Sequence, residues 1–296
     1  MHDRTTPTLE LLRVTCLFHA TGNGRLPSFM GSAWRGAFGH ALRRSVCVMR
    51  LRPCTGCPLE RSCLYTTLFR AAPDPARGVL SRLQDVAQPY VLMPPAEGPR
   101  RVIAGDPVRL DLTLVGRAIG QRAYVQRALE RAAEGGLGPD RVPLRLAAVE
   151  PLAPSPRTPT AGRLVVQLVT PLRLKRDGRL VGPDRLTPAD LLMALLRRVS
   201  MLRAFHDAAP LQLDFGALKG HAAGLSWQRI AVRWQETRRY STRQEALLTM
   251  GGLVGEAELD AAKLGPFREL VALAPCIGIG KGASMGLGQV AVGPEP

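Results

Sequence analysis

Apolar residues recur at strand and helix spacings along most of the chain, and the pattern falls into two similar halves. The first half predicts a helix starting at Ser28, a second helix over 117–134, and strands over 8–20, 89–93, 107–116 and 141–150. The second half predicts helices over 188–206 and 266–273, and strands over 162–171, 226–234, 252–259 and 289–292. Each half therefore has the order strand, helix, strand, strand, helix, strand.

This order is that of the ferredoxin-like βαββαβ unit. The predicted fold is therefore α+β, with two ferredoxin-like (RRM-like) domains in tandem and a cysteine metal knuckle inserted after the first helix. The proline-rich segment PLAPSPRTPT at 151–160 separates the halves and is typical of a linker. We expect an N-terminal domain over 1–150 and a C-terminal domain over 161–296.

Local signals support several of these elements. The stretch Thr187-Pro188-Ala189-Asp190 combines an N-cap residue, a proline at the first helical position and an acid at the third. Asp177-Gly178 predicts a hairpin turn, and residues 107–116 alternate apolar and polar side chains as a half-buried strand does.

The first helix carries the most distinctive side chains. Ser28 is the expected N-cap, and one face is apolar, formed by Met30, Ala33, Trp34, Ala37, Phe38, Ala41 and Leu42. His40 lies at the edge of that face, with Arg44 one turn later and Arg43 beside it. Gly36 and Gly39 each lower helix propensity by about 1 kcal/mol relative to alanine. A close approach of another backbone to this face would explain both glycines.

Four of the six cysteines follow within a short segment, as Cys47-x6-Cys54-x2-Cys57-x5-Cys63. Proline and glycine around the central pair favour tight turns, and four thiolates at such spacing can close a tetrahedral metal site. Zinc is favoured over an iron–sulfur cluster, because nothing else in the sequence indicates electron transfer. A complete set of four thiolates predicts a structural role; unliganded thiols are the alternative.

A glycine-rich loop, GIGKGASMGLG at 278–288, is predicted between the last helix and the last strand. Its glycines allow backbone amides to line a concave surface that faces phosphate oxygens. The spacing is neither that of a P-loop nor that of a dinucleotide fingerprint.

The net charge of the chain indicates what class of partner it binds. The formal net charge is +16, and only Lys175, Lys219, Lys263 and Lys281 of the 40 lysines and arginines are lysines. A basic surface rich in arginine favours a polyanion, most often nucleic acid. Aromatic residues make up only 5% of the chain, which disfavours bases stacked along an open sheet and favours a hairpin RNA.

Residues 1–7 are polar, and no apolar run approaches the ~18 residues of a membrane span. Cysteines clustered at metal spacing are typical of a reducing compartment, so we expect a cytoplasmic protein without membrane contact.

The chain resembles the CRISPR repeat-RNA (pre-crRNA) processing endoribonucleases of the RAMP superfamily, in the branch that carries a four-cysteine knuckle. The stretches that carry the resemblance are GSAWRGAFGHALRR, CTGCPLERSC, LMALLRRVSMLRAFH, RRYSTRQ with the following GGLVGE, and GIGKGASMGLG. The resemblance implies a metal-independent cut within each repeat of a CRISPR precursor RNA. The 2′-hydroxyl of the RNA attacks the adjacent phosphate, leaving 2′,3′-cyclic phosphate and 5′-hydroxyl ends, and the repeat hairpin stays bound afterwards.

The resemblance also places the catalytic histidine on the first helix, where His40 stands. This reaction needs proton transfer and charge stabilisation, and a histidine with a pKa near 6.5 can transfer protons at neutral pH. The expected catalytic residues are His40, Arg44 and Tyr240. The expected RNA-binding residues are Arg35, Arg43, Arg238, Arg239, Arg243, Gly280, Lys281, Gly282 and Ser284. The expected zinc ligands are Cys47, Cys54, Cys57 and Cys63.

Two alternatives remain at this point. One is a non-catalytic repeat-RNA-binding subunit of a CRISPR effector complex, whose other subunits would then be partners. The other is a metal or redox protein built on the cysteine knuckle.

Overall fold

Two four-stranded antiparallel sheets, each packed on one face by helices, form the two halves of the chain. The computed structural model describes residues 9–49, 52–70, 86–96, 100–152, 158, 160–207, 210–241 and 246–294.

The described residues of the first half form six strands and three helices. In chain order these are β1 Leu11–Ala20, β2 Gly24–Leu26, α1 Met30–Val46, α2 Leu64–Phe69, β3 Tyr90–Met93, β4 Arg100–Val102, β5 Pro107–Val115, α3 Arg122–Glu134 and β6 Leu144–Pro151. A 3-10 turn, Gly116–Gln121, leads into α3.

In the described part of the second half there are again six strands and three helices. In chain order these are β7 Arg163–Leu172, β8 Lys175–Arg176, β9 Arg179–Leu180, α4 Pro188–His206, α5 Phe215–Ala223, β10 Arg229–Ser241, β11 Ala246–Asp260, α6 Arg268–Ile277 and β12 Val290–Pro294. Short 3-10 turns lie at Pro183–Arg185, Ala261–Phe267 and Ala283–Met285.

The strand order is the same in both halves. The first sheet has the order β3-β5-β1-β6 and the second has β10-β11-β7-β12, with antiparallel neighbours throughout. The predicted βαββαβ succession is therefore confirmed in each half. The small β2–β4 and β8–β9 ribbons are additions to it.

Three elements of the structure follow the local sequence signals that predicted them. Helix α4 begins with a capping box, in which Thr187 accepts from the Asp190 amide and the Asp190 carboxylate accepts from Thr187. The αL conformations of Asp177 and Gly178 (φ 52° and 79°) form the turn between β8 and β9. In β5 the alternate side chains Val108, Leu110, Leu112 and Leu114 are buried, as predicted.

The two halves share a core. Leu9, Ala87 and Val115 of the first half belong to the apolar cluster that α4 and α6 form in the second half. The His206 imidazole at the end of α4 bonds the Ala87 carbonyl at 2.8 Å, so this histidine is buried in the joint between the halves. No helix in the described part of the chain is long and apolar enough to cross a bilayer.

Several boundaries differ from the prediction. Helix α1 begins at Met30 after Phe29, and no side chain caps it, so Ser28 is not the N-cap. Phe29 is instead held in a small apolar cluster with Met285 and Leu287, and this tertiary packing sets the helix start. Strands β10 and β11 run far beyond the predicted strands, so that RRYS of RRYSTRQ lies in β10. Helices α2 and α5 were not predicted.

Candidate functional site

The N-terminus of α1 meets the glycine-rich loop of the second half. A Cβ added at Gly31 would overlap the carbonyl of Met285, whose carbon would lie 2.9 Å away and whose oxygen would lie closer still. Real Cβ atoms essentially never come within 3.0 Å of such neighbours. Gly31 is therefore the glycine of α1 at which another backbone approaches, whereas the prediction had named Gly36 and Gly39.

His40 and Arg44 lie on the solvent face of α1. Both are exposed, and they are one turn apart on the same side of the helix. A Cβ at Gly36, one turn before His40, would meet nothing within 4 Å. Among the described residues no hydrogen bond or ion pair engages the His40 imidazole. The imidazole is therefore open to a ligand approaching α1 from solvent.

Aromatic side chains of α2 cover the neighbouring face of α1. The Phe69 ring lies where a Gly39 Cβ would be, at 2.9 Å, and it stacks on Tyr65 with ring centroids 5.2 Å apart. The guanidinium of Arg35 lies over Phe69 at 5.6 Å, and that of Arg43 lies over Tyr65 at 5.9 Å. Gly39 therefore makes room for an aromatic ring rather than for a second backbone.

Arg35 and Arg43 also have partners within the protein. Arg43 donates to the Arg52 carbonyl at 3.0 Å. Burial raises the pKa of Tyr90, and the positive charge of Arg35 opposes that rise. Both arginines are half-buried, unlike Arg44. Arg44 is thus the more accessible guanidinium beside His40, and RNA contact by Arg35 and Arg43 stays a prediction.

The glycine-rich loop packs between the halves. Its amides donate to protein carbonyls at Gly278, Ile279, Lys281, Met285, Gly286, Leu287 and Gly288. Ser284 is buried at 9% exposure, Gly280 and Gly282 are half-buried, and Lys281 is exposed. The expectation that the loop offers a lining of free amides to phosphates is therefore wrong for most of its length. The Lys281 ammonium is the cationic group that the loop presents to solvent.

The long β10–β11 hairpin carries the other basic motif. Arg238, Arg239 and Tyr240 lie in β10, with Arg238 opposite Thr249 and Tyr240 opposite Leu247. The side chains at 238–240, and the whole of Arg243, lie outside the described residues. Their roles stay predictions.

The four clustered cysteines line one small cavity after α1, together with Arg43, Tyr65 and Glu60. The turn that carries them is bonded internally: the Cys57 amide donates to the Cys54 carbonyl at 3.1 Å, and the Gly56 amide donates to Glu60 at 3.0 Å. All four are free thiols, and Cys63 forms the N-cap of α2. Within the described ranges, however, no three cysteine, histidine or carboxylate side chains are grouped closely enough to hold a metal ion. The predicted metal knuckle is therefore not shown.

The structure brings together the start of α1 and the glycine-rich loop, and it brings the cysteine cavity next to α2. It does not bring His40 to the loop directly. Nine residues separate His40 from Gly31, or about 13.5 Å along the helix. Sequence reasoning missed Gly31 and the α2 rings. A glycine inside a helical pattern can signal close packing, but Gly36 and Gly39 give the same signal, so the sequence does not single out Gly31.

Two family models match adjacent parts of the chain. The AF_1859_N model, described as an N-terminal domain, matches residues 9–168, and the model of the CRISPR-associated endoribonuclease Cas6 matches residues 166–290. No curated protein sequence matches the chain.

Solved structures share the fold. The product complex of Cas6 (TTHB231) from Thermus thermophilus is 20% identical, with 96% of this chain and 100% of that chain covered, at a TM-score of 0.62. A partial Cas6-RT-Cas1–Cas2 complex is 13% identical, with coverage of 97% and 46%, at 0.58. A Cas6-related protein from Pyrococcus furiosus is 13% identical, with coverage of 97% and 100%, at 0.52.

Proposed function

Because the chain belongs to the Cas6 family of CRISPR-associated endoribonucleases, we propose that it cuts CRISPR precursor RNA within the repeats by a metal-independent reaction. The 2′-hydroxyl loses its proton and its oxygen bonds to the adjacent phosphorus. The bond from phosphorus to the 5′-oxygen breaks, and that oxygen takes up a proton. The products carry a 2′,3′-cyclic phosphate and a 5′-hydroxyl.

The observation that carries this proposal is the exposed pair His40 and Arg44 on the open face of α1. An imidazole can perform one of the two proton transfers near neutral pH. A guanidinium one turn away can bind the equatorial oxygens of the phosphorane, which carry more negative charge in the transition state than in the ground state. Gly36 leaves space beside the imidazole where the ribose and phosphate can approach the helix. Tyr240 is proposed as a second proton-transfer or base-stacking group.

The proposal is tested by incubating the protein with a repeat RNA in excess EDTA and mapping both product ends. We expect His40→Ala to lower the cleavage rate by ~10²–10⁴ while repeat-RNA affinity stays within a few-fold. His19→Ala is the matched control, because His19 is also an exposed histidine, on β1. A His40→Ala protein that cuts at the parental rate contradicts the assignment and moves it to Tyr240. A parent that binds the repeat but never cuts it favours the non-catalytic subunit.

The RNA surface is proposed to run from Lys281 on the glycine-rich loop along α1 to Arg44. The supporting observations are the contact between Gly31 and Met285, and the exposure of Lys281 and Arg44. Arg238 and Arg239, near the end of β10, extend this proposal, and so does Arg243, which lies outside the described residues. The high net charge of +16 supports a phosphate-dominated interface, and few aromatic residues favour a hairpin repeat over unstructured RNA.

We also propose a structural zinc ion at Cys47, Cys54, Cys57 and Cys63. Four thiols lining one cavity supply a donor set that suits zinc, although they are not grouped at metal-binding distance in this structure. Zinc would tie the start of α2 to the end of α1, and so would hold the rings that cover Gly39. The ion has no part in the cleavage chemistry, because four thiolates leave no open coordination position.

A further inference from the structure

Helix α4 buries an arginine that no carboxylate neutralises among the described residues. Arg198 is only 7% exposed. Its Nε donates to the Ile277 carbonyl at 2.8 Å, and its Nη2 is buried with no hydrogen-bond partner among the described residues. Burial lowers its pKa to about 10. Such a group costs stability, since a buried charge is stabilised only by well-placed partners.

The carbonyl that Arg198 holds lies at the start of the glycine-rich loop. Ile277 is the last residue of α6, and Gly278 follows it with φ 66°, outside the helical conformation. The last carbonyls of a helix lack partners within the helix, and a cation placed there also complements the helix dipole. Arg198 therefore fixes the point at which the chain leaves α6 and enters the loop.

Strand β7 and the residues after it hold the remainder of the loop. The Gly288 amide donates to the Pro171 carbonyl at 3.1 Å, and the Lys281 amide donates to the Arg173 carbonyl at 3.0 Å. Thr170 donates to the Gly286 carbonyl at 2.7 Å. At the entry of the loop the Gly278 amide donates to the Ala274 carbonyl at 2.9 Å and the Ile279 amide donates to the Gly288 carbonyl at 2.8 Å, while Arg198 is the side chain that bonds the Ile277 carbonyl.

We propose that Arg198 is a positioning residue for RNA binding and cleavage, which acts through the Ile277 carbonyl on the orientation of the glycine-rich loop. The inference rests on the proposed function, in which Lys281 and this loop contact the RNA. Arg198 itself is too deeply buried to touch the substrate. Replacing Arg198 removes a buried charge, which raises stability, and a hydrogen bond, which lowers it. Because these effects oppose each other, the main effect is expected on RNA binding and cleavage.

The test compares Arg198→Met, Arg198→Lys and Arg197→Met. Arg197 is the adjacent, exposed arginine of α4, so its replacement removes the same charge from the surface. For each variant the fraction of protein that binds RNA is titrated first. Repeat-RNA affinity, the single-turnover cleavage rate at saturating RNA, and the thermal midpoint are then measured.

We expect Arg198→Met to fold with a midpoint within a few degrees of the parent and to bind the repeat RNA more weakly. Per active molecule, its cleavage rate should fall by about tenfold to 10²-fold, as misplacement by about 1 Å does. Arg198→Lys, which keeps the charge and one donor, should lie between this variant and the parent. Arg197→Met should stay within about twofold, because one rim charge contributes little.

A folded Arg198→Met protein that binds and cuts like the parent overturns the inference. If Arg198→Met does not fold, Arg198→Lys decides: reduced RNA binding by a folded protein supports the inference, and parental binding overturns it. A parent that neither binds nor cuts repeat RNA overturns the proposed function and this inference with it. The two failures can be told apart, because the parent binds and cuts the RNA when only the inference about Arg198 is wrong.

Discussion

Replacing Gly31 by alanine should push the glycine-rich loop away from α1. The new Cβ would overlap the Met285 carbonyl and would also lie 3.1 Å from the Phe29 ring. The carbonyl belongs to a backbone held by its own hydrogen bonds, so it cannot yield as the end of a flexible side chain does. Overpacking of this kind costs about 1–3 kcal/mol.

Gly36→Ala is the matched control for this substitution. Both variants add one methyl group to α1, and both gain up to about 1 kcal/mol of helix propensity, but the methyl at position 36 enters open space. To first order the propensity gain cancels, and the difference between the two variants measures the overlap. At about 2–4 °C per kcal/mol, Gly31→Ala should melt roughly 2–12 °C below Gly36→Ala in a thermal scan.

RNA binding should respond to the same substitution. Displacement of the loop should move Lys281, so Gly31→Ala should also weaken binding of the repeat RNA. A Gly31→Ala protein that melts at or above Gly36→Ala would refute the close approach of the loop to α1. A Gly31→Ala protein that is destabilised but binds RNA as tightly as Gly36→Ala would still support the close packing of the loop against α1. It would contradict the role of the loop in RNA binding.

Further expected outcomes concern the cysteines and the charge. Elemental analysis should find about one zinc per chain, falling by more than half in Cys54→Ser/Cys57→Ser; retention of the metal would remove both as ligands. Burial raises the pKa of Cys16 to about 11, so this thiol stays protonated at pH 8, and alkylation of the native protein at that pH should spare it; rapid labelling would contradict its burial. RNA affinity should fall steeply between ~50 and ~200 mM salt, and Lys281→Ala should reduce the slope of that dependence by about one; an unchanged slope would place Lys281 off the phosphate path.

The elements that the sequence predicted well are those whose causes are local. Thr187 and Asp190 bond each other across three residues, so the capping box could be read directly, and α4 has the predicted bounds. The alternation in β5 likewise needs only one buried face. The order of strands in each sheet followed from the βαββαβ succession, since few topologies accommodate it.

The failures have tertiary causes. Ser28 has the side chain of an N-cap, yet Phe29 occupies that position because its ring packs with Met285 and Leu287, more than 250 residues away in sequence. Gly39 makes room for a ring of α2, a six-residue helix too short to give a periodic signal. The reach of β10 and β11 depends on their pairing with each other, which single-strand patterns do not contain.

The candidate site combines residues from both halves of the chain. Neither half of the sequence alone therefore predicts it. His40 and Arg44 are carried by α1 of the first half, while Lys281 is carried by a loop of the second half. Among the described residues, the joint between them is made of backbone and apolar side chains, at Gly31 and Met285, rather than of ion pairs. Because apolar and backbone contacts are weakly affected by salt, the geometry of the proposed site can persist under ionic conditions that would weaken phosphate binding. Under the proposed function, the basic charge of this chain is therefore free to act on the RNA, since the described contacts that join α1 to the loop do not depend on it.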